Sequence, residues 1–290
     1  MSRPASPGAV LITGASTGIG RACALHQERL GWQVFAGVRS DAAAEALRAA
    51  AGTDRLTPVT LDVTDSGSIA AALARVREAA PGGLAGLVNN AGVAVAGPLE
   101  FLPLEELRRQ LEVNVVGPVA VTQAALELLR AARGRVVNIS SVGGRSVLPF
   151  VGPYAASKFA LEAITDALRR ELLPWGIKVV AVEPGTTATP IWEKGQAQAE
   201  ELRARMPDRA TELYGSRVAA LETLTARAAA RGVAPERVAR AVAGALGARR
   251  PRTRYLVGRD AKAQVAAFHL LPDRLVDRLI DRFLTAQGQH

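Results

Sequence analysis

Tyr154 and Lys158 stand four residues apart, a spacing that places two side chains on the same face of a helix. A free tyrosine has a pKa of about 10, too high for efficient proton exchange near neutrality. A nearby ammonium favours the phenolate, so we expect Lys158 to lower the pKa of Tyr154. Ser141, just past a predicted strand, could hydrogen-bond the reacting oxygen, and Asn114 could hold a water that relays protons from Lys158. These four residues predict acid/base catalysis at an oxygen, without a metal ion.

A glycine-rich turn is the second chemical feature, with the sequence TGASTGIG at residues 13–20. Glycines permit a tight turn from a strand into a helix and let the backbone approach a pyrophosphate closely. The helix that follows directs its free N–H groups and its positive dipole end at the anion. Position after a strand and before a helix predicts a dinucleotide site more strongly than the glycines alone.

The end of the second predicted strand indicates which dinucleotide is bound. A site specific for NAD would place an acid there to accept hydrogen bonds from the ribose hydroxyls. The chain instead has Val38 followed by Arg39 and Ser40. Because no acid repels a 2′-phosphate and Arg39 could bind one, we expect NADP(H) to be preferred, with NAD(H) still possible.

Short β-branched runs alternate with longer helical segments along the whole chain. This alternation predicts βαβ units and a doubly wound parallel sheet of about seven strands with helices on both faces, the Rossmann architecture. The predicted strands are Val10–Thr13, Gln33–Val38, Thr57–Asp62, Gly86–Asn89, Arg135–Ser140, Lys178–Glu183 and Arg254–Val257. The predicted helices include Ile69–Ala80, Leu104–Ala132 and Ser157–Leu173. No linker interrupts the pattern, so residues 1–290 are predicted to form a single domain.

Seven motifs in a fixed order resemble those of the short-chain dehydrogenase/reductase family. They are TGASTGIG from Thr13, LDVT from Leu61, NNAG from Asn89, Asn114, Ser141, YAASK from Tyr154 and PGTTAT from Pro184. The resemblance extends over essentially the full length, and the RTRYLVGRDAK and LLPDRLVD segments are similar to its steroid- and retinol-dehydrogenase-like branch.

The resemblance implies a role for each matching residue. Tyr154 would be the acid/base, Ser141 would orient the substrate oxygen, and Lys158 would tune Tyr154 and bind the nicotinamide ribose. With Asn114 these are the catalytic residues that it implies. The cofactor-binding residues expected from the glycine turn and the resemblance are Gly14, Ser16, Thr17, Gly18, Ile19, Gly20, Arg39, Asp62, Val63, Asn89, Ala91, Gly92, Tyr154, Lys158, Pro184, Gly185, Thr187 and Thr189. Thr187 departs from the usual branched aliphatic residue, which leaves a backbone contact intact.

A long charged segment between the last two predicted strands breaks the rhythm of the fold. Insertions at the carboxyl ends of parallel strands commonly form binding-site walls, so residues 190–247 are predicted to be a helical substrate lid. With residues 142–152 it would offer an apolar wall to a lipophilic alcohol or carbonyl compound. The predicted substrate-binding residues are Ser141, Val142, Leu148, Phe150, Tyr154 and Trp192.

Residues 262–290 are predicted to form an amphipathic carboxyl-terminal tail. One face of this segment has an apolar stripe, and Asp/Arg pairs lie on the other face. The members of the stripe are Leu275, Val276, Leu279, Ile280 and Phe283. The stripe is typical of docking on the domain or on another subunit, and peripheral membrane contact is the alternative. The family resemblance implies a homodimer or homotetramer assembled through 104–132 and 154–173.

Composition excludes several classes of protein. The single cysteine, Cys23, excludes a disulfide scaffold, and three scattered histidines do not have metal-ligand spacing. A net charge of +9 raises the alternative of a nucleic-acid binder, but the arginines are dispersed and aromatics are only 4% of the chain. No export signal and no run of about 18 apolar residues is found, so we expect a cytoplasmic protein without a transmembrane segment.

The leading prediction is therefore an NADP(H)-dependent carbonyl reductase or alcohol dehydrogenase. The alternative is a nucleotide-binding regulatory or structural protein that keeps the fold and has little turnover. The complete set of Ser141, Tyr154 and Lys158 favours the enzyme.

Overall fold

Seven parallel strands form the centre of the protein in a computed structural model that describes residues 7–187, 200–230 and 232–287. The strand order is β3-β2-β1-β4-β5-β6-β7. The chain reverses its direction of winding between β1 and β4, which is where sheets of this kind bind ligands at their carboxyl edge. The strands are β1 Ala9–Ile12, β2 Gln33–Val38, β3 Leu56–Thr60, β4 Leu84–Asn89, β5 Arg135–Ile139, β6 Lys178–Pro184 and β7 Arg254–Val257.

Helices cover both faces of this sheet, which explains why the strands are almost continuously apolar. They are α1 Gly18–Arg29, α2 Asp41–Ala50, α3 Ser66–Ala79, α4 Leu104–Leu111, α5 Gly117–Ala132, α6 Gly152–Glu171, α7 Asp208–Ala230, α8 Pro235–Gly247, α9 Arg259–Leu270 and α10 Asp273–Gln287. One apolar core lies under α1, α2 and α8, and the other lies under α3, α5 and α6. The predicted doubly wound parallel fold is confirmed, and each predicted strand overlaps an observed one.

The helix predicted over Leu104–Ala132 is interrupted in its middle. A π-helical segment, Glu112–Val116, joins α4 to α5 and contains Asn114. Short π-helical segments occur often at functional sites because they turn side chains out of the regular helical register. The run 104–132 is also long and apolar enough to cross a membrane by length and composition. Its α5 half packs on β4 and α3 through residues such as Val121, Ala125 and Leu129, as a core helix does.

The predicted lid is shorter than expected at its carboxyl end. Helix α8 packs on α1 and on β5, β6 and β7, and its Val238, Val242 and Leu246 lie in the first core. The last thirteen residues of the predicted insertion, Pro235–Gly247, therefore form the crossover helix that leads to β7. The described part of the insertion is a helical stretch at 200–204 and the long helix α7.

The carboxyl-terminal helix α10 uses only one half of its predicted apolar stripe for packing. Val276 and Leu284 are buried, and Ile280 and Leu284 join a cluster with residues of α7. Leu275, Leu279 and Phe283 remain 41 to 49% exposed on the adjacent face. An ion pair of 2.7 Å between Arg217 and Asp281 adds a polar contact between α7 and α10.

A buried chain of polar side chains connects the two strands and two helices beneath the site. Asn89 Nδ2 donates to Asn138 Oδ1 at 2.9 Å and to Thr122 Oγ1 at 3.0 Å. Asn138 Nδ2 donates in turn to Thr165 Oγ1 at 2.8 Å. Because Asn89 and Asn138 are register partners on β4 and β5, the chain fixes α5 and α6 relative to the sheet.

Replacing the central member, Asn138→Ala, is expected to lower the free energy of unfolding by about 1–3 kcal/mol because it leaves buried partners unsatisfied. Urea unfolding followed by circular dichroism measures this loss. Thr60→Ala, at an exposed position at the end of β3, is the control and should leave the midpoint unchanged. An unchanged midpoint for Asn138→Ala would show that this chain of buried polar side chains does not contribute to stability.

Candidate active site

A cavity of about 310 Å³ opens at the carboxyl edge of the sheet. The segments that follow β1 to β6 all contribute to it, together with the start of α6 and the π-helical segment. The sequence-predicted residues that line it are Gly14, Ser16, Thr17, Gly18, Ile19, Arg39, Asp62, Val63, Ala91, Gly92, Ser141, Tyr154, Lys158, Pro184, Gly185 and Thr187. The structure thus brings most of the predicted catalytic and cofactor residues to one place.

Close backbone approach explains the glycines of the turn between β1 and α1. A Cβ atom on Gly20 would lie 2.2 Å from the carbonyl oxygen of Gly14, and one on Gly14 would lie 2.8 Å from Cα of Ala91. Gly14 also has a φ of 63°, a conformation that favours glycine. Gly20 does not line the cavity and acts from behind it by allowing the helix to start so near the strand.

Hydrogen bonds connect the glycine turn directly to the segment that follows β4. Thr13 Oγ1 accepts hydrogen bonds from the backbone N–H groups of Asn90 and Ala91, at 2.9 and 3.0 Å. Asn90 Nδ2 donates to the carbonyl oxygens of Thr13 and Gly14. These four bonds hold two loops of the cavity together across the switch point of the sheet.

Tyr154 and Lys158 lie in the first two turns of α6 and face the cavity, as their spacing predicts. The Ser141 hydroxyl and the Tyr154 ring both lie beside Gly143, and Ser141 lowers the pKa of the Tyr154 phenol. Ser141 Oγ also accepts from the N–H of Gly143 at 3.0 Å, which fixes the hydroxyl at the start of a short 3₁₀ turn. The ammonium of Lys158 donates to the carbonyl oxygen of Ile139 at 2.8 Å and lies 5.8 Å from the centre of the tyrosine ring.

Burial determines the acid/base character of the pair. It raises the pKa of Tyr154 above its ordinary value, and the hydrogen bond from Ser141 opposes this only in part. It lowers the pKa of Lys158 to about 8, against the attraction of Glu162. Burial thus sets the direction of the Tyr154 pKa shift in this structure, opposite to the lowering expected from the ammonium. Near neutrality Tyr154 is therefore a protonated phenol beside an ammonium that gives up its proton easily.

Asn114 supports the cavity from below and does not face it. Its Oδ1 accepts from the N–H of Val93, and its Nδ2 donates to the carbonyl oxygen of Val93 and to Ser157 Oγ. Both polar atoms of the side chain are engaged, and the water relay expected at Asn114 stays a prediction. Gln110, one turn earlier, holds Val93 and Val95 in the same manner and was not predicted.

Arg39 is exposed at the cavity rim, beyond the end of β2. An acid on which Arg39 acts, Asp62, is occupied within its own turn, where Oδ1 accepts from the N–H and the hydroxyl of Thr64. These bonds, aided by Arg39, lower the pKa of Asp62. Among the described residues, the rim at this point presents a guanidinium without a hydrogen-bond partner and a carboxylate whose hydrogen-bonding capacity is partly used.

Asn89 is a predicted cofactor residue whose side chain does not face the cavity. Its side chain points into the buried polar chain below the sheet edge, and its neighbour Asn90 lines the cavity. Other lining residues that sequence reasoning missed are Gly37, Val38, Leu61, Thr64, Val93, Ala94, Val113, Ile139 and Ser140. Thr189, also predicted to bind the cofactor, lies outside the described residues.

The predicted substrate wall is only partly assembled around the cavity. Ser141 and Tyr154 line it, whereas Val142 is buried behind it. Leu148 and Phe150 pack in an apolar cluster with α7 and α10. Phe150 has a φ of 65°, and its carbonyl oxygen accepts from the N–H of Gly97 at 2.7 Å. Trp192 lies outside the described residues.

Comparison with known proteins gives concordant matches. The chain matches the family model of short chain dehydrogenases over residues 8–200. It is 40% identical to retinol dehydrogenase 5 of Mus musculus over 297 residues, covering 99% of this chain and 92% of that protein. It is 38% identical to the NADPH-dependent 3-dehydrocapnine reductase of Ornithobacterium rhinotracheale, covering 93% and 94% of the two chains. A crystal structure of a short-chain dehydrogenase from Streptomyces avermitilis superposes with a TM-score of 0.76 and 31% identity, covering 99% of this chain and 100% of that one.

Gly20→Ala is expected to weaken dinucleotide binding, because a methyl group would press on the carbonyl oxygen of Gly14 and on Asn90. Overpacking of this kind costs roughly 1–3 kcal/mol, which corresponds to a loss of about 10- to 100-fold in affinity. Fluorescence titration with NADPH measures it.

Gly244→Ala in α8 is the matched control, since nothing lies within 4 Å of the added methyl group. It should keep the affinity and raise the stability by up to about 1 kcal/mol. Equal affinities for the two variants would show that the turn does not form the dinucleotide site.

Proposed function

The chain belongs to the short-chain dehydrogenase family, and from that membership we propose that it is an NADP(H)-dependent oxidoreductase of a lipophilic small molecule. The family and its relatives make it an enzyme acting on CH–OH groups. The proposed reaction interconverts a secondary alcohol and a ketone, or a primary alcohol and an aldehyde. The observation that carries the proposal is that Ser141, Tyr154 and Lys158, the last two one helical turn apart, line the same wall of the cavity.

The residues around the cavity fit a dinucleotide. Gly14 and Gly18 leave the backbone bare where a pyrophosphate would approach, and the N-terminus of α1 faces the same point. Arg39 supports a preference for NADP(H), because a guanidinium at the rim can bind a 2′-phosphate. A relative is NADPH-dependent by name. NAD(H) stays possible in this proposal because Arg39 is exposed and no residue blocks a plain ribose.

The chain's own residues supply the proton chemistry. When bound, the nicotinamide donates or accepts the hydride. For reduction, Tyr154 would donate its phenolic proton to the carbonyl oxygen, since burial keeps it protonated near neutrality. Ser141 would donate a hydrogen bond to the same oxygen from its position beside the phenol. For oxidation, the phenolate would take the proton of the alcohol.

Lys158 has the character needed to replace that proton. Its ammonium is buried and its pKa is lowered to about 8, so it can pass a proton toward Tyr154 and recover it near neutral pH. A lysine with an ordinary pKa would hold its proton too tightly for this exchange.

The lipophilic character of the substrate is the least direct part of the proposal. One relative is a retinol dehydrogenase, named for an apolar alcohol. The wall beyond Tyr154 rests on the apolar cluster of Leu148, Phe150 and α7, and Tyr214 packs edge-on against Phe150 at 5.9 Å between ring centres. We propose that residues 208–230 form the outer wall of the substrate site.

Assembly and location are proposed with it. Leu104 and Val116, on the long helical run, and Phe159 on α6 are exposed apolar residues, which supports the expected dimer or tetramer through these helices. A cytoplasmic location is proposed, with peripheral membrane contact through the exposed face of α10 as its alternative.

Tyr154→Phe is expected to lower kcat by about 10²- to 10⁴-fold, because the phenyl ring keeps the packing and removes the proton. NADPH binding should be retained. Absorbance of NADPH with a panel of apolar ketones and aldehydes measures the rate, and fluorescence titration measures binding.

Tyr255→Phe, on β7 away from the cavity, is the control and should be fully active. Unchanged turnover in Tyr154→Phe would remove Tyr154 from the mechanism. A wild-type protein that binds NADPH and turns over no carbonyl compound would instead support the nucleotide-binding regulator.

Arg39→Asp is expected to move the preference from NADPH toward NADH. It removes hydrogen bonds to a charged group worth about 1.5–3 kcal/mol, or about 10- to 100-fold in NADPH affinity. The ratio of kcat/KM values for the two nucleotides measures the change. Arg48→Asp, an exposed change of equal charge on α2, is the control. An unaltered ratio in Arg39→Asp would contradict the assignment of Arg39 to the 2′-phosphate.

A further inference from the structure

Behind the catalytic residues, away from the cavity, lies a cluster of three carboxylates and two arginines. It consists of Glu162 and Asp166 on α6, Glu183 on β6, Arg254 on β7 and Arg145 next to the Ser141 turn. The side chain of Glu183 is 2% exposed and that of Glu162 is 10% exposed. None of these residues lines the cavity, and nothing in the proposed reaction uses them.

Arg254 on β7 contacts acidic side chains of both α6 and β6. Its Nε lies 3.0 Å from Glu162 Oε2 and 3.2 Å from Glu183 Oε1, and its Nη2 lies 3.0 Å from Asp166 Oδ1. One guanidinium thus contacts the helix that carries Tyr154 and Lys158 at two successive turns, and the strand that leads into Pro184 and Gly185.

Arg145 joins the same strand to the Ser141 turn. Its Nε lies 2.8 Å from Glu183 Oε2, so the two oxygens of Glu183 are divided between the two arginines. Gly144 packs directly on the cluster, because a Cβ atom there would lie 3.0 Å from Cγ of Glu162 and 3.0 Å from Ser140 Oγ. The turn that fixes the Ser141 hydroxyl therefore rests on the side chain of Glu162, one helical turn beyond Lys158.

Stability alone does not account for such a cluster. The cost of removing charges from water roughly offsets the attraction of buried ion pairs, and apolar replacements of equal size are often as stable. What the pairs provide is a fixed arrangement of charges: Arg254 Nε hydrogen-bonds Glu162, and Glu183 forms ion pairs with Arg145 at 2.8 Å and with Arg254 at 3.2 Å.

We propose that Glu183 and Arg145 are positioning residues that hold the Ser141 turn at a fixed place relative to the helix that carries Tyr154 and Lys158. The inference rests on the proposed function, because it concerns the geometry of that same site. Ser141 and Tyr154 belong to different elements, and their joint action on one substrate oxygen requires those elements to keep a fixed distance.

The charge state of Glu183 makes its ion pair with Arg145 depend on pH. Burial and the neighbouring Glu162 raise the pKa of Glu183 to about 6, and Arg145 and Arg254 oppose the rise. Asp166 faces the same guanidinium of Arg254. The ion pair with Arg145 is therefore present above pH 6 and is lost as the pH falls through 6.

The free energy of unfolding changes with pH in the direction opposite to the ion pair. A carboxyl group whose pKa is higher in the folded state than in the unfolded state takes up a proton on folding as the pH falls, which favours the fold. For Glu183 that window lies between about 6 and the ordinary value of 4.5. Its protonation should release the Ser141 turn without destabilising the protein, which separates positioning from a general structural role.

The test compares Glu183→Gln and Arg145→Gln with the wild type. We expect kcat to fall by about 10- to 100-fold, since small misplacements of catalytic groups have effects of this size, with NADPH binding unchanged. The double variant should be no slower than the slower single variant, because both remove the same contact. Arg145→Lys should restore part of the rate. The acid limb of kcat near pH 6 should disappear in Glu183→Gln.

Hydrogen exchange of residues 141–151 reports the same positioning without turnover. Exchange there should be faster in both Gln variants and, in the wild type, should slow after correction for intrinsic rates as the pH rises through 6. Glu127→Gln, which breaks the exposed ion pair with Arg77, is the matched control and should change neither measure.

Wild-type kcat in both Gln variants, or faster exchange spread over the whole chain, would overturn the proposal. Because exchange is measured without substrate, locally faster exchange in a protein with no carbonyl turnover would support the positioning contact while contradicting the proposed function. The two failures are thereby distinguished.

Discussion

The buried ammonium of Lys158 is the constraint around which the site is organised. Removing a cation from water costs several kcal/mol even after relaxation, so its position must be compensated locally. The carbonyl oxygen of Ile139, at 2.8 Å, is the direct acceptor, and Glu162 supplies an opposite charge one turn further along α6. Ile139 is the last residue of β5 and Ser141 follows it closely, so the bond that accommodates the cation also fixes the distance between the helix and the turn that bears Ser141.

Further polar contacts connect Lys158 and its partners to the rest of the fold in two directions. Toward the nucleotide half, Asn114 bonds both Val93 and Ser157, so the segment after β4 is tied to α6. Thr13 and Asn90 then connect that segment to the glycine turn. Away from the cavity, Arg254 and the acidic side chains connect α6 to β6 and β7. Side-chain contacts with backbone groups and with other side chains therefore connect α6 and the loops of the cavity to the sheet, whose strands are held in register by their own backbone pairing.

The local parts of this arrangement were predictable from the sequence, and the parts that depend on register and depth were not. The turn at Gly14, the helical pair Tyr154 and Lys158, and each strand follow from residues close together in the chain. Whether Asn89 or Asn90 faces the cavity depends on which side of β4 is buried, and the pairing of Asn89 with Asn138 decides it. The sign of the Tyr154 pKa change depends on burial, which spacing does not reveal.

Helix α8 illustrates the same limit at the level of an element. Its Ala-, Val- and Arg-rich composition is equally typical of a lid and of a core helix, and only its packing on α1 distinguishes them. A signal was present, because Pro235 at the first helical turn precedes apolar residues at 238, 239, 242, 245 and 246, a spacing that buries one whole face.

Different interactions hold the nucleotide-binding part of the cavity and the proposed substrate wall, and this difference bears on how the enzyme selects its substrate. The nucleotide half depends on backbone contacts at Gly14 and Gly20 that tolerate no added atom. The proposed substrate wall rests on an apolar cluster between Phe150, α7 and α10, which tolerates changes that keep its volume. Exposed polar contacts, such as Tyr214 with Glu100 and Arg217 with Asp281, hold that wall to the body and contribute little to its stability. The proposed substrate wall can therefore change shape without disturbing Tyr154, because Lys158 on the same face of α6 and the buried charges behind that helix hold α6 in place.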